Sequence, residues 1–160
     1  MAAGRRYVAI LDAISVSAVC DLFWISCPTD AVVYIEEICI TQDTSETSEQ
    51  LPLNFFRTTT DNSANGTGNT PNPLEVGDPA YGGTVRHNIT GGSLSAETTM
   101  IRRESQNVLN GWLWKGSYEE PLLVMTPAAA TAGRAAVKLD AAPSAAISIS
   151  GYMIFREIGG

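Results

Sequence analysis

Histidine is almost missing from this chain. The single copy, His87, sits between Arg86 and Asn88 in a polar stretch, so any Ser-His-Asp triad would have to take its partners arbitrarily from many serines and aspartates. No catalytic residue is expected on this ground. Cysteine is scarce as well: Cys20, Cys27 and Cys39 form an odd set, with no Cys-x-x-Cys pair and no histidine close by. A zinc site needs closer ligand spacing and a fourth partner, so neither a metal nor another cofactor is expected. The three cysteines lie on apolar stretches and read as buried thiols acting as small hydrophobes. A Cys20–Cys27 bridge is the alternative, and the reducing cytosol is the simpler setting.

Positive charge is short too. Ten basic residues against seventeen acidic ones leave a net charge of -7, the wrong sign for a protein that binds nucleic acid by neutralising phosphates. No run of 18 or more apolar residues occurs, so no membrane span is expected. Arg5-Arg6 followed by Tyr7 to Leu11 superficially resembles a signal peptide. Asp12 interrupts that apolar stretch, and Ser15 and Ser17 alternate with Ile14, Val16 and Ala18, which is strand patterning. Gly91-Gly92 and Tyr81-Gly82-Gly83 lack the strand-to-helix setting of a phosphate loop and read as turns.

What the chain does have is two-residue alternation. From Ile147 onward, Ile147, Ile149, Gly151, Met153 and Phe155 take one parity, while Ser148, Ser150 and Tyr152 take the other. Successive strand side chains point to opposite faces, so this is a long strand with one buried side. A closing strand of this kind is expected at the centre of its sheet, paired on both edges. Ala31 to Gln42 is the clearest second strand, with Val32, Tyr34, Ile38 and Ile40 expected on one face and Val33, Ile35, Cys39 and Thr41 on the other. Glu36 then falls on an apolar parity, which calls for a bulge or a charged partner.

Other strands are expected over Ala13 to Ala18 and Leu22 to Ser26 (one bent strand or a loose pair), Leu51 to Thr60, Glu97 to Ser105, Leu122 to Thr126 and Ala135 to Asp140. Asn110-Gly111 signals a hairpin or a glycine bulge, with Trp112 and Trp114 on one face. Residues 61–73, rich in Asn, Gly, Thr and Pro, read as a long exposed loop without a core anchor. Seven to nine strands with polar turns and no long helix indicate an all-β antiparallel β-sandwich, jelly-roll-like, in a single domain. Its expected layout is an N-terminal arm and first strand entry over 1–12, then the sandwich over 13–160. A chain of 160 residues suits one such core, with roughly 70% of the unfolded surface buried.

Glu36-Glu37 and Glu119-Glu120 are adjacent, and neighbours on a regular strand project to opposite faces, so neither pair is expected to converge on one bond as glycosidase carboxylates do. Trp112, Trp114 and Tyr118 allow a sugar platform, against core or subunit interface. Asn65-Gly66-Thr67 and Asn88-Ile89-Thr90 fit the glycosylation acceptor pattern, as chance allows in a chain rich in Asn and Thr. Exposed positions in the arm and long loop, namely Arg5, Arg6, Asn65 and Asn69, are the candidate partner contacts.

Asn110-Gly-Trp-Leu-Trp-Lys115, then Glu119-Glu120-Pro121, Val137-Lys-Leu-Asp-Ala-Ala-Pro143 and the closing Ser150 to Gly160 run together resemble small virion structural proteins of tailed bacteriophages. The front half, with Ala31 to Gln42 and its polar and Gly/Asn/Pro-rich segments, looks like the same group. The resemblance implies a capsid decoration, or cement, protein that is not an enzyme. It would be a homotrimer seated on the major capsid protein at the virion surface, assembled in the bacterial host cytoplasm. A tail or fibre component, or a carbohydrate-binding sandwich module, is the alternative.

Overall fold

A computed structural model describes residues 4–43, 48–107, 109–117, 119–127 and 133–159. The strands are β1 (Arg5–Val16), β2 (Cys20–Ser26), β3 (Ala31–Gln42), β4 (Gln50–Arg57), β5 (Thr67–Asn69), β6 (Asn72–Pro73) and β7 (Thr84–His87). They continue with β8 (Ile89–Thr90), β9 (Thr99–Asn107), β10 (Trp112–Lys115), β11 (Leu123–Met125), β12 (Arg134–Leu139) and β13 (Ile147–Gly159). A single 3-10 turn, Gly91–Ser93, is the one helical element among the described residues. Two antiparallel sheets face each other. The first runs β10-β3-β13-β1-β6, with β11 also on β3, and the second runs β5-β7-β2-β12-β4-β9, with β8 also on β2.

The long pairings nest: β1 with β13, β2 with β12, β3 with β10 and β11, and β4 with β9. β13 lies between β3 and β1, the central position its alternation predicts. Its apolar parity is buried, and Met153 and Phe155 meet Ile35, Ile38, Tyr7 and Leu11 of the same sheet in the core. Phe23, Ile25, Leu53, Phe55, Val137 and Leu139 fill the core from the second sheet. Each such side chain contributes roughly 1.5–3 kcal/mol when taken fully out of water, which makes this interface the main stabilising term.

Several expectations change. Arg5 and Arg6, expected in the N-terminal arm, already open β1, paired with Glu157 and Arg156, and β1 continues across the expected 12/13 boundary. Residues 1–3 lie outside the described residues. The 12/13 position instead marks a bulge between Leu11 and Ile14, where Ala13 takes φ 47° and its N–H donates to Ser150 Oγ at 3.0 Å. β1 and β2 are not one bent strand, since each belongs to a different sheet. Asn110-Gly111 forms neither a hairpin nor a bulged single strand. It is a turn from β9 in one sheet to β10 in the other, with Gly111 at φ 61° and Asn110 N–H donating to the Asn107 carbonyl.

Residues 61–73 are also better tied than their composition implied. Asn62 is fully buried and donates to Ser95 Oγ at 3.0 Å, while Pro71 is buried. β5 pairs with β7, and β6 pairs with β1. Polar side chains provide the anchoring here, which an apolar-period reading does not register. The stretches 58–66 and 88–98 pack over part of the outer face of the second sheet, where Ile89 completes a smaller apolar cluster with Trp24, Phe56 and Ala136. Trp24 Nε1 donates to the Thr60 carbonyl at 3.3 Å, fixing this flap to β2.

The three cysteines are free thiols, Cys20 buried and Cys27 and Cys39 half-buried. Cys20 opens β2 and Cys27 follows its last residue, so about 20 Å of extended chain separates them and excludes the bridge. Burial pushes the Cys20 thiol up to about 12 and the Cys27 thiol up to about 11. Trp114 is buried and Trp112 packs beside it on the core, so these two rings form no exposed sugar platform. Tyr118 lies outside the described residues.

Candidate functional site

The outer face of the first sheet carries the most unusual surface. Strand registers set its residues in transverse rows. Val8, Ile154, Glu37 and Lys115 lie side by side across β1, β13, β3 and β10, and the next row is Ile10, Tyr152, Cys39 and Leu113. Arg6, Arg156, Tyr34 and Val124 form a third row, ending on β11. Ile10 and Leu113 are 48% and 54% exposed, and Leu74, whose N–H donates to the Arg6 carbonyl beside the third row, is 46% exposed. Val76, Leu109 and Met100 are exposed elsewhere, but Ile10 and Leu113 share one row of a sheet face with Leu74 at its border, a grouping that suits contact with a partner.

A bulge in β3 shapes the centre of this face. Ile154 pairs with Glu37 and Phe155 with Ile35, so Glu36 is the extra residue. The bulge resets the alternation: Val33 and Ile35 before it and Ile38 and Ile40 after it all reach the core, correcting the expected face assignment. It also places Glu36 and Glu37 along one groove, against the expectation that adjacent carboxylates diverge. That groove, of about 400 Å³, is lined by Arg6, Glu36, Glu37, Lys115, Gly116 and Ser117.

Both ways of accommodating Glu36 occur together. It moves outward at the bulge, and it is held by Arg6 at 3.0 Å and by Arg156 Nε at 3.2 Å. The Arg156 guanidinium, nearly buried, also lies 5.1 Å from the centre of the Tyr34 ring. Glu37 takes the Lys115 ammonium at 3.4 Å and the Tyr152 hydroxyl at 2.5 Å. Donation to Glu37 pushes the Tyr152 phenol up to about 12, with burial adding to the shift. Each carboxylate therefore has its own cation, an arrangement that fixes geometry and presents a neutralised surface.

The edge of the sheet is interrupted beside the bulge. Gly116 N–H donates to the Glu36 carbonyl at 2.7 Å and Leu122 N–H to the Ile35 carbonyl at 2.8 Å, so the chain leaves β3 and returns at adjacent residues. A Cβ on Gly116 would come within 2.7 Å of the Glu120 carbonyl oxygen, which is why this excursion needs glycine. A second groove of about 640 Å³ runs past it, lined by Ile101, Arg102, Glu120 and Pro121 among others.

Of the expected partner contacts, only Arg6 lies on this face. Arg5 pairs with the buried Glu157 at 3.7 Å. Asn65 donates to Asn62 Oδ1 at 2.9 Å within the flap, and Asn69 donates to the Ile10 carbonyl at 2.7 Å, tying β5 to β1. Asn69 also lies 3.3 Å from His87 Nδ1, and burial lowers the His87 pKa. The four residues are thus not brought together. Ile10 and Leu113 were missed because each lies within an apolar run, Tyr7 to Leu11 and Trp112 to Trp114, and reads as core; Leu74 lies in a turn-rich stretch. The one available signal was Glu36, out of place in its apolar strand. Among the described residues no group of three or more His, Cys, Asp or Glu side chains converges as metal ligands would. No protein-family model, curated protein or solved structure matches this chain.

Proposed function

We propose that this chain is a structural, partner-binding sandwich of the capsid-decoration kind, seated on the major capsid protein of a tailed-phage head through the outer face of its first sheet. The observation that carries the reading is the contrast between the two outer faces. The chain covers the Trp24–Phe56 part of the second sheet's outer face with its own flap, leaving Met100 exposed on β9 at its edge, and leaves Ile10, Leu74 and Leu113 exposed around a charge-neutralised centre on the first. A face of that composition favours docking because Ile10, Leu74 and Leu113 gain from burial, while pairing of the carboxylates leaves no lone charge for a partner to cover.

The nested pairing, first long strand with last and so on inward, is what a single two-stranded ladder gives when rolled up, and we read it as a jelly roll, an architecture used in viral capsid and lectin domains. The resemblance of the closing third to phage structural proteins supports the same role, with a homotrimer as the seated form. Binding is preferred over catalysis because Glu36 and Glu37 are each committed to cations on the protein itself.

The test is co-sedimentation of the purified protein with empty phage heads. The wild-type protein is expected to pellet with the heads, and Ile10→Asp combined with Leu113→Asp to lower occupancy at least tenfold with an unchanged melting temperature. Undiminished occupancy in the double variant would remove this face from the reading.

A further inference from the structure

We propose that Asp21 is a proton-operated latch: when neutral it holds the flap segments 58–66 and 88–98 firmly against the second sheet, and when ionised it holds them less firmly, so that they open more often over the Trp24–Phe56 cluster. Asp21 is completely buried on the outer side of β2. Its Oδ2 accepts the Ser95 N–H at 3.0 Å, and Ser95 Oγ accepts from Asn62, which in turn accepts from Asn65. One carboxyl therefore joins the sheet to both flap segments. Ala96 N–H to Thr60 Oγ1, at 2.9 Å, adds a direct stitch between them.

The weakness is built into the same carboxyl. Asp21 Oδ1 is buried and receives no hydrogen bond among the described residues, so the ionised form leaves a charged oxygen without a donor. The cation facing it is Lys138, its neighbour across β12, but that ammonium is held by Glu97 and lies 3.5 Å from Asp140. Glu97, from the flap, is the facing anion and opposes ionisation. Asn54, next in the row, donates its amide to Glu97 at 3.0 Å and leaves its own oxygen buried without a donor among the described residues, so it gives Asp21 none. Burial accordingly moves the Asp21 pKa up, to about 6. A raised carboxyl pKa contributes stability that is complete below the unfolded value of 3.8 and is lost as pH rises through about 6. The flap is therefore closed in acid and loosened at neutral pH.

Hydrogen exchange of the full chain across pH 5 to 8, corrected for the intrinsic pH dependence of amide exchange, reads the latch. Opening of 58–66 and 88–98 is expected to rise roughly tenfold over that range, the change imposed by a carboxyl that shifts from about 6 when covered to 3.8 when open. Asp21→Asn keeps an acceptor for Ser95 and removes the charge, and its profile is expected to be flat. A flat wild-type profile, or a rise that persists in Asp21→Asn, overturns the proposal. If Asp21→Asn does not fold, carbon-13 titration of the wild-type Asp21 carboxyl decides. A midpoint near 6 that tracks flap opening supports the latch, and titration below pH 4.5 overturns it.

Discussion

Glu36 shows how one residue can carry a surface. Its two oxygens bind an exposed and a buried arginine, and the physics of the two pairs differs. The Arg6 side chain is 48% exposed, so losing that pair costs little against solvent screening, whereas Arg156 is 3% exposed and would be left as a buried charge short of a carboxylate. Arg6→Ala is expected to lower stability by less than about 1 kcal/mol and Glu36→Gln by about 3 kcal/mol, measured by urea unfolding. Equal effects would show that the buried pair is not the stronger. The conflict at Glu36 was readable, since a carboxylate on an apolar parity demands a bulge or a partner. Its partners were not, because Arg156 reaches it from the far end of the chain. Asn65 and Asn69 misled for a related reason: composition cannot tell an amide facing water from one donating to a neighbouring carbonyl.

At the scale of elements, the bulge in β3 decides which residues of the strand reach the core. Deleting Glu36 would restore unbroken alternation, with Glu37 following Ile35 on the outer face and Ile38 and Ile40 kept in the core. The expected cost is about 3 kcal/mol, that of leaving the buried Arg156 short of its carboxylate, seen as a fall in the urea midpoint. Oxidation of Ile38 and Ile40 by hydroxyl radicals in the variant would contradict the assigned register. β3 and β13 were readable as strands because each is long and alternates. The separation of β1 and β2 into different sheets was not, as local patterning does not encode which sheet a strand joins. The flap was missed because its anchors, Asn62, Ser95 and Asp21, are polar, and buried polar anchoring leaves no apolar period in a sequence.

For the whole molecule, the two-sheet antiparallel sandwich follows from many short alternating segments, and the sequence carried that much. Which outer face the chain covers for itself depends on where the 58–98 stretch folds back, a long-range outcome invisible to spacing. That asymmetry separates a face already satisfied from one left for a partner, and the proposed capsid role rests on it. Hydroxyl-radical footprinting of the protein free and bound to phage heads tests it most directly, because it reads side-chain exposure at positions whose backbone is already hydrogen-bonded. Binding is expected to suppress oxidation of Ile10, Leu74 and Leu113 severalfold while Met100, exposed on the second sheet, stays reactive. Protection of Met100 with Ile10 and Leu113 unchanged would contradict the account and place the contact on the opposite sheet.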